Sequence, residues 1–324
     1  MYYCGKECQR NDWKHHKYEC KILKNYSNLW TKLGVMDLEM HRLILRLYLY
    51  VKHNPECVYE SRQFFDDDDS KRCFNDLMTH RNEFEKDSSF MSSFLLMGTI
   101  FKTFLKELDS DLLFECLCKT LINECQISSI ELLGRGLYIA ESQLDHSCLP
   151  NSVFLSEGNQ MAIEAIRPIK SGEKITVTYI DLFDSNNVRQ ERLAKRYYFT
   201  CNCERCESID PMDFDGFRQL YKKFEGLLYE KNWIESYKIG LELFPLMKDV
   251  YHDYHPELIS FTSLMFMKCV ILSSKATEEF IQSNLMPIFN YFDKHSSSIR
   301  KKRILKILKS FAISEHALLK NLFK

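Results

Sequence analysis

Leu38, Leu45 and Leu49, and then Phe90, Phe94, Met97, Phe101 and Leu105, recur at the spacing that lines up one face of a helix. From about Lys24 to Asn123 the pattern is helical, and these faces are expected to pack a core. Between them the run Asp66-Asp67-Asp68-Asp69 reads as a solvated loop, because like charges repel and aspartate favours turns. From Gly134 to Ile180 the period changes to two. Met161, Ile163 and Ala165 alternate with polar neighbours after the turn Glu157-Gly158-Asn159, and Ile175, Val177 and Tyr179 do so after Ser171-Gly172. Beyond Cys206 the helical period returns up to Lys324, with Trp233, Tyr237 and Leu241 on one face and a break at His255-Pro256. The fold class is therefore α+β: a β-rich centre with a helical insert before it and helical hairpins after it.

The stretch from Ile299 to Lys309 is basic and amphipathic, which suits a solvated helix face, an acidic partner or a membrane surface. The longest mainly apolar run, Leu95 to Phe101, contains a Gly and a Thr and is far shorter than the roughly 20 residues a bilayer span needs, so no membrane span is expected. The formal charge of −1 provides no electrostatic footprint for nucleic acid, and direct nucleic-acid binding is not expected. Thirteen cysteines without a secretory leader or lipidation signal point to reduced thiols and metal ligands, and to cytoplasm and nucleus as compartments.

Chemistry concentrates in two stretches. The string Asp145-His146-Ser147-Cys148-Leu149-Pro150-Asn151 carries one thiol, and Cys201, Cys203 and Cys206 form C-x-C-x-x-C. Three thiols that close leave one place in a tetrahedral zinc shell, for which Cys148 is the candidate fourth ligand. A Cys-His hydrolase pair at His146 and Cys148 is the competing reading, but it leaves the thiol triplet unexplained. Tyr179 shares strand parity with Ile175 and Val177, so it is either a core tyrosine or a hydroxyl delivered at a strand end.

The same residues resemble the SET-domain lysine methyltransferases. Asp145 to Asn151 is similar to their N-H-S-C-x-P-N signature, Gly134 to Tyr138 to a G-x-G-L-Y lead-in, and Gly172 to Asp181 to the G-E-E-(I/L)-T-x-x-Y-x-D strand. The C-x-C-x-x-C resembles the post-SET zinc tail. Tyr3-Cys4-x3-Cys8, Trp13, His16 and Cys20 match the second half of a MYND zinc finger, and the whole layout resembles the SMYD family. The resemblance divides the chain into half a MYND finger (1–20), a helical insert (21–123), a SET core (124–185), a post-SET zinc segment (186–208) and a TPR-like helical domain (209–324).

It implies S-adenosylmethionine and zinc as cofactors and a lysine of a histone or non-histone protein as substrate. It also implies peptide partners for the helical C-terminal domain. Tyr179 would sit beside the transferred methyl, and Tyr197 would wall the lysine channel. Asn123, Ser142, Asp145, His146, Tyr179 and Phe199 would contact the cofactor. Aspartate at 145 stands where the family has asparagine, keeping an acceptor for the cofactor's ammonium while losing the amide donor. Cys148, Cys201, Cys203 and Cys206 would hold one zinc, with Cys4, Cys8, His16 and Cys20 as halves of two further sites. The family's Gly-rich cofactor turn and the first four finger cysteines lie ahead of Met1 in this pattern, so the chain reads as truncated at its N-terminus. A non-catalytic zinc-stabilised interaction module is the alternative.

Overall fold

The computed structural model describes residues 3, 5–32, 38–63, 71–128, 132–157, 160–208, 214–251, 255, 257–258, 260–262 and 264–265. Cys4, the run Asp66 to Asp69, Pro256 and the basic stretch 299–309 lie outside the described residues. The chain is α+β and divides into two compact units. One draws on Met1–Leu144, Phe154–Ile163 and Leu193–Phe199, the other on Asp145–Val153, Glu164–Arg192 and Thr200–Lys324.

In the first unit, helices α1 (Lys6–Lys32), α2 (Leu38–His53), α3 (Arg81–Lys86), α4 (Ser88–Lys102) and α5 (Ser110–Asn123) precede the antiparallel pair β1 (Glu124–Ser128) and β2 (Leu132–Leu137). The starts of α4 and α5 are written in sequence. Asp87 accepts the backbone N–H groups of Ser89 and Phe90, and Asp109 those of Asp111 and Leu112, caps that contribute about 1 kcal/mol each. Ile44, Leu45, Tyr48 and Leu49 of α2 pack with Phe94, Met97 and Phe101 of α4 and Leu113, Phe114 and Leu117 of α5, so the expected apolar faces meet in a core, except for Leu38, whose side chain lies outside the described residues. The Tyr48 hydroxyl within it accepts the Asp109 N–H at 2.9 Å. Lys119 is buried too: its Nζ donates to the carbonyls of Phe74 (2.9 Å) and Asn75 (3.3 Å) and pairs with Glu115 at 3.0 Å, fastening a 3₁₀ turn (Phe74–Asp76) to α5.

Helix α1 starts at Lys6, well before the helical pattern was expected to begin. Its inward positions are polar, which is why hydrophobic periodicity misses it. Glu19 has no exposed surface, and its Oε1 meets His16 Nδ1 at 2.9 Å, Arg42 at 3.1 Å and Arg46 at 3.3 Å. Arg46 also pairs with Asp12, which accepts the Tyr3 hydroxyl at 2.6 Å. At the strand pair, a bulge between Ile127 and Ser128 sits opposite Gly134, whose φ of 153° disfavours any side chain.

In the second unit β3 (Asp145–His146) runs parallel to β6 (Thr176–Val177). The strand around Val177 is thus shorter than the alternation suggested: Val177 is buried, and Tyr179 lies past the strand's end, half-buried. The turn before it is as expected, with Gly172 at φ 80° and the Glu173 N–H bonded to the Lys170 carbonyl at 3.0 Å. The expected hairpin strands form a further pair, β4 (Ser152–Glu157) with β5 (Gln160–Ala165), of which Phe154–Ile163 belongs to the first unit; the turn residues Gly158 and Asn159 lie outside the described residues. Helix α6 (Asn186–Tyr197) gives residues 186–192 to the second unit and 193–197 to the first. After the one-turn α7 (Glu204–Glu207), α8 (Phe214–Tyr229) and α9 (Trp233–Val250) pack together, and Phe217 stacks on Phe183 at 4.0 Å. The face of α9 differs from expectation. Tyr237, Gly240, Leu243 and Met247 are buried while Leu241 is 40% exposed, because the buried stripe follows Tyr237 by three and six residues rather than four. Gly240 allows that packing: a Cβ there would strike the Met265 side chain.

Phe101 has no exposed surface in the first core, so Phe101→Ala is expected to cost about 3–5 kcal/mol in urea unfolding, against about 1 kcal/mol for the cap variant Asp109→Ala.

Candidate functional site

The site in the second unit is built on Asn151. Its side chain, 1% exposed, donates to the Lys174 carbonyl at 2.8 Å and Glu173 Oε1 at 3.1 Å and accepts the Thr176 N–H at 2.8 Å. The Ser152 hydroxyl donates to the Thr176 carbonyl, and the Ser147 N–H to that of Val177. These bonds hold the loop 147–152 against β6 despite a strand pairing of only two residues, and they explain why an amide is needed where a merely polar side chain would suit a surface. Glu173, paired with Arg167 and bonded by Lys170 N–H and Asn151, stays ionised with its carboxyl held down near about 2.

That loop carries Cys148, which meets Cys201, Cys203 and Cys206 in a cluster whose four Sγ atoms all lie within 4.8 Å of one another. Cys148 and Cys206 are 3.5 Å apart. Tetrahedral zinc with Zn–S bonds of about 2.3 Å sets its sulfurs roughly 3.8 Å apart, so donor type, number and spacing fit a closed structural zinc site. The thiols are electrostatically crowded. A hydrogen bond from the Cys148 thiol holds Cys203 far below the thiol range, the same bond together with burial holds Cys148 far above it, and burial pushes Cys201 up to about 11. Four thiolates at this spacing need a cation among them, and a divalent ion is what lets the remaining protons leave. Among the described residues this is the one group of three or more metal-ligating side chains.

Several neighbours brace the cluster. Gln190 grips the Cys201 backbone at both ends, Nε2 donating to its carbonyl (2.7 Å) and Oε1 accepting its N–H (2.9 Å). Arg205 donates to the carbonyls of Cys148 and Leu182, and Asn186 to that of Cys206. Neither motif spacing nor periodicity marks these three residues. Arg205 alone adjoins a thiol in sequence, Cys206 on α7, whereas Asn186 and Gln190 lie on α6, which carries no cysteine.

His146 links the cluster to Tyr179. Its Nδ1 accepts the Tyr179 backbone N–H at 3.0 Å, and its Nε2 lies 3.3 Å from Cys148 Sγ. Burial lowers the imidazole to about 4, so it is neutral at pH 7. An Nδ1 that accepts must be unprotonated, which puts the proton on Nε2 and makes His146 a donor to the Cys148 sulfur. The ring also lies against Tyr179, centroids 5.3 Å apart. Asp145 points outward, 65% exposed, and pairs with Lys174 at 3.1 Å.

The remaining candidates belong to the first unit. Asn123 donates to the carbonyls of Met78 and Lys119, and Ser142 to that of Ile139. Tyr197 is buried, which raises its hydroxyl pKa, and Phe199 is half-buried. Between them Tyr198 takes φ 57° and packs on His80 and Phe84. Cys8, His16 and Cys20 fall on the continuous helix α1, where Cys8 is exposed and His16 is engaged with Glu19.

The family model "SET domain" matches residues 6–180, a span that contains the histidine loop, Asn151 and Tyr179. The chain belongs to the SET-domain family. Its relatives place it in the SMYD branch. It is 30% identical to SET domain and MYND-type zinc finger protein 6 of Schizosaccharomyces pombe, over 64% of this chain and 39% of that one. Identity to histone-lysine N-methyltransferase SMYD3 of Homo sapiens is 30% over 70% of this chain and 52% of that one, and to human N-lysine methyltransferase SMYD2 25% over 75% and 57%. The SMYD chain here thus spans about half the length of the curated relatives it matches. Among its described residues no helix is long and apolar enough to cross a membrane.

Cys203→Ser is expected to lower zinc content from one ion per chain to a small fraction of that in elemental analysis of purified protein, and to bring thermal unfolding forward. Acidification is expected to release a metal held by the quartet, because protons compete for the thiolates, so metal content measured in the unsubstituted chain should drop as the pH is lowered.

Proposed function

We propose that this SMYD chain is, or forms part of, a protein-lysine N-methyltransferase that transfers a methyl group from S-adenosylmethionine to a lysine of a histone or non-histone protein, with one structural zinc on Cys148, Cys201, Cys203 and Cys206. The observation that carries the reading is the run of contacts from Cys148 through His146 to the Tyr179 backbone, which ties the tyrosine that ends the SET motif to the thiol cluster. Methyl transfer needs an amine lone pair in line with a sulfonium methyl, and a hydroxyl held in a fixed place can orient that amine. Tyr179 takes this role. Tyr197 lines the lysine channel, where an aromatic face stabilises an ammonium by roughly 0.5–2 kcal/mol. Asn123, Ser142, Asp145, His146 and Phe199 contact the cofactor. Zinc leaves no open ligand position in a four-thiolate shell, so it supplies rigidity and no chemistry. The names of the relatives support a protein substrate. Peptide partners at the C-terminal helices, and residence in cytoplasm and nucleus, belong to the same reading.

One observation favours the second reading, a non-catalytic zinc-stabilised interaction module. The Asp145 carboxylate, the acceptor meant for the cofactor's ammonium, is turned outward onto Lys174. Transfer of labelled methyl from S-adenosylmethionine to a panel of histones and cell extract separates the two. Methyl incorporation that Tyr179→Phe reduces by about 10²-fold or more, with thermal unfolding unchanged, supports the enzyme. Incorporation unaffected by Tyr179→Phe removes the tyrosine from the mechanism. No incorporation and no cofactor binding by calorimetry would establish the module.

A further inference from the structure

The end of α6, within the first unit, is held from two sides. Glu124, at the start of β1, has 3% of its side chain exposed, and its Oε1 accepts from Arg135 Nη1 at 2.8 Å and from Arg196 Nη2 at 2.9 Å. Arg196 Nη2 also donates to the Leu121 carbonyl at 3.2 Å. Anchored in this way, the guanidinium lies over the ring of Tyr197, its central carbon 5.2 Å from the centroid and within range of a cation–π attraction. Tyr197 itself is buried. The next residue, Tyr198, takes the left-handed φ of 57°, which is costly for any residue with a Cβ, and its ring packs on His80 and Phe84 with centroids 5.0 and 5.6 Å away. Neither neighbour can shift without giving up these contacts, so the place of Tyr197 is set by the two residues that flank it.

Stability alone is a poor account of the carboxylate. Glu124 Oε2 is buried with no hydrogen-bond partner among the described residues, and a buried ion pair gains little beyond its own desolvation. What the pair supplies is geometry. We propose that Glu124 and Arg196 form a clamp on Tyr197, Glu124 holding the guanidinium against one face of the ring so that a fixed remaining surface meets the substrate lysine. The proposal rests on the reading that Tyr197 lines the lysine channel, and deepens it by naming the residues that govern how well the channel takes the lysine side chain. A ring face already covered by a guanidinium is closed to the substrate's ammonium, so the amine meets the rest of the ring. Glu124 and Arg196 are positioning residues here and touch no reacting atom.

The test compares the full chain with Arg196→Met, Glu124→Gln and the two together, each labelled with carbon-13 at the hydroxyl-bearing ring carbon of tyrosine. The Tyr197 resonance is the one missing from Tyr197→Phe, and methyl transfer to histones gives KM and kcat. Arg196→Met is expected to raise KM for the protein substrate about tenfold, to leave kcat and the KM for S-adenosylmethionine within about twofold, and to move the Tyr197 resonance. Glu124→Gln should do the same, because it frees the guanidinium. Adding it to Arg196→Met should change neither KM nor resonance further, whereas two separate structural losses would add. A KM in Arg196→Met within about twofold of the parent would overturn the proposal, as would a loss confined to kcat or additive losses in the double variant. If Glu124→Gln fails to fold, Arg196→Met, whose side chain is half exposed, decides alone: a raised KM with a moved resonance supports the clamp, and either one unchanged sinks it. Parent protein that transfers no methyl group defeats the lysine-channel reading instead. The clamp is then judged by the resonance, which supports it if Arg196→Met moves the Tyr197 signal and overturns it if the signal stays in place.

Discussion

Sulfur crowding is the constraint on which the site depends. Four side chains that each become anions on losing a proton are held within 4.8 Å of one another, a geometry unfavourable for any metal-free arrangement of charge and favourable for a divalent ion. Nothing in the short β3–β6 pairing could by itself keep the histidine loop in place. Asn151 supplies the local clasp, and the thiols tie that loop to chain more than fifty residues further on, a closure whose entropy a metal bond offsets readily. His146 inherits its orientation from both ends of this arrangement.

The first unit handles buried charge differently. Glu19 places one carboxylate oxygen, Oε1, on His16, Arg42 and Arg46, all protein groups, while its buried Oε2 has no hydrogen-bond partner among the described residues. Such networks contribute modestly to net stability because desolvation consumes most of the attraction, but removing one partner is costly. They do fix geometry, and here the geometry is how α1 lies on α2. A histidine that the resemblance marks as a zinc ligand is thereby occupied by a carboxylate one turn away.

The legible parts of the sequence were those whose physics is local or periodic. Helix faces through Leu45, Phe94 and Phe101, the Gly172 turn and the thiol spacing could each be read without a partner in view. Helix α1 was hidden because polar residues occupy its buried positions. The α9 face was misplaced because Leu241, apolar and in register, lies toward solvent while glycine and serine are buried. Gln190, Arg205 and Asn186 were invisible for a third reason: each acts through backbone contacts that exist only once distant segments meet, and such polar side chains on a charged helix look like surface.

Lys119 shows what such burial does to reactivity. Its amine sits under two carbonyls and a carboxylate, with 3% of the side chain exposed. An amine held by three acceptors, in a place where no reagent can approach, will be acylated only when the first unit opens. In a chain with so many surface lysines, this one is a built-in clock for that opening.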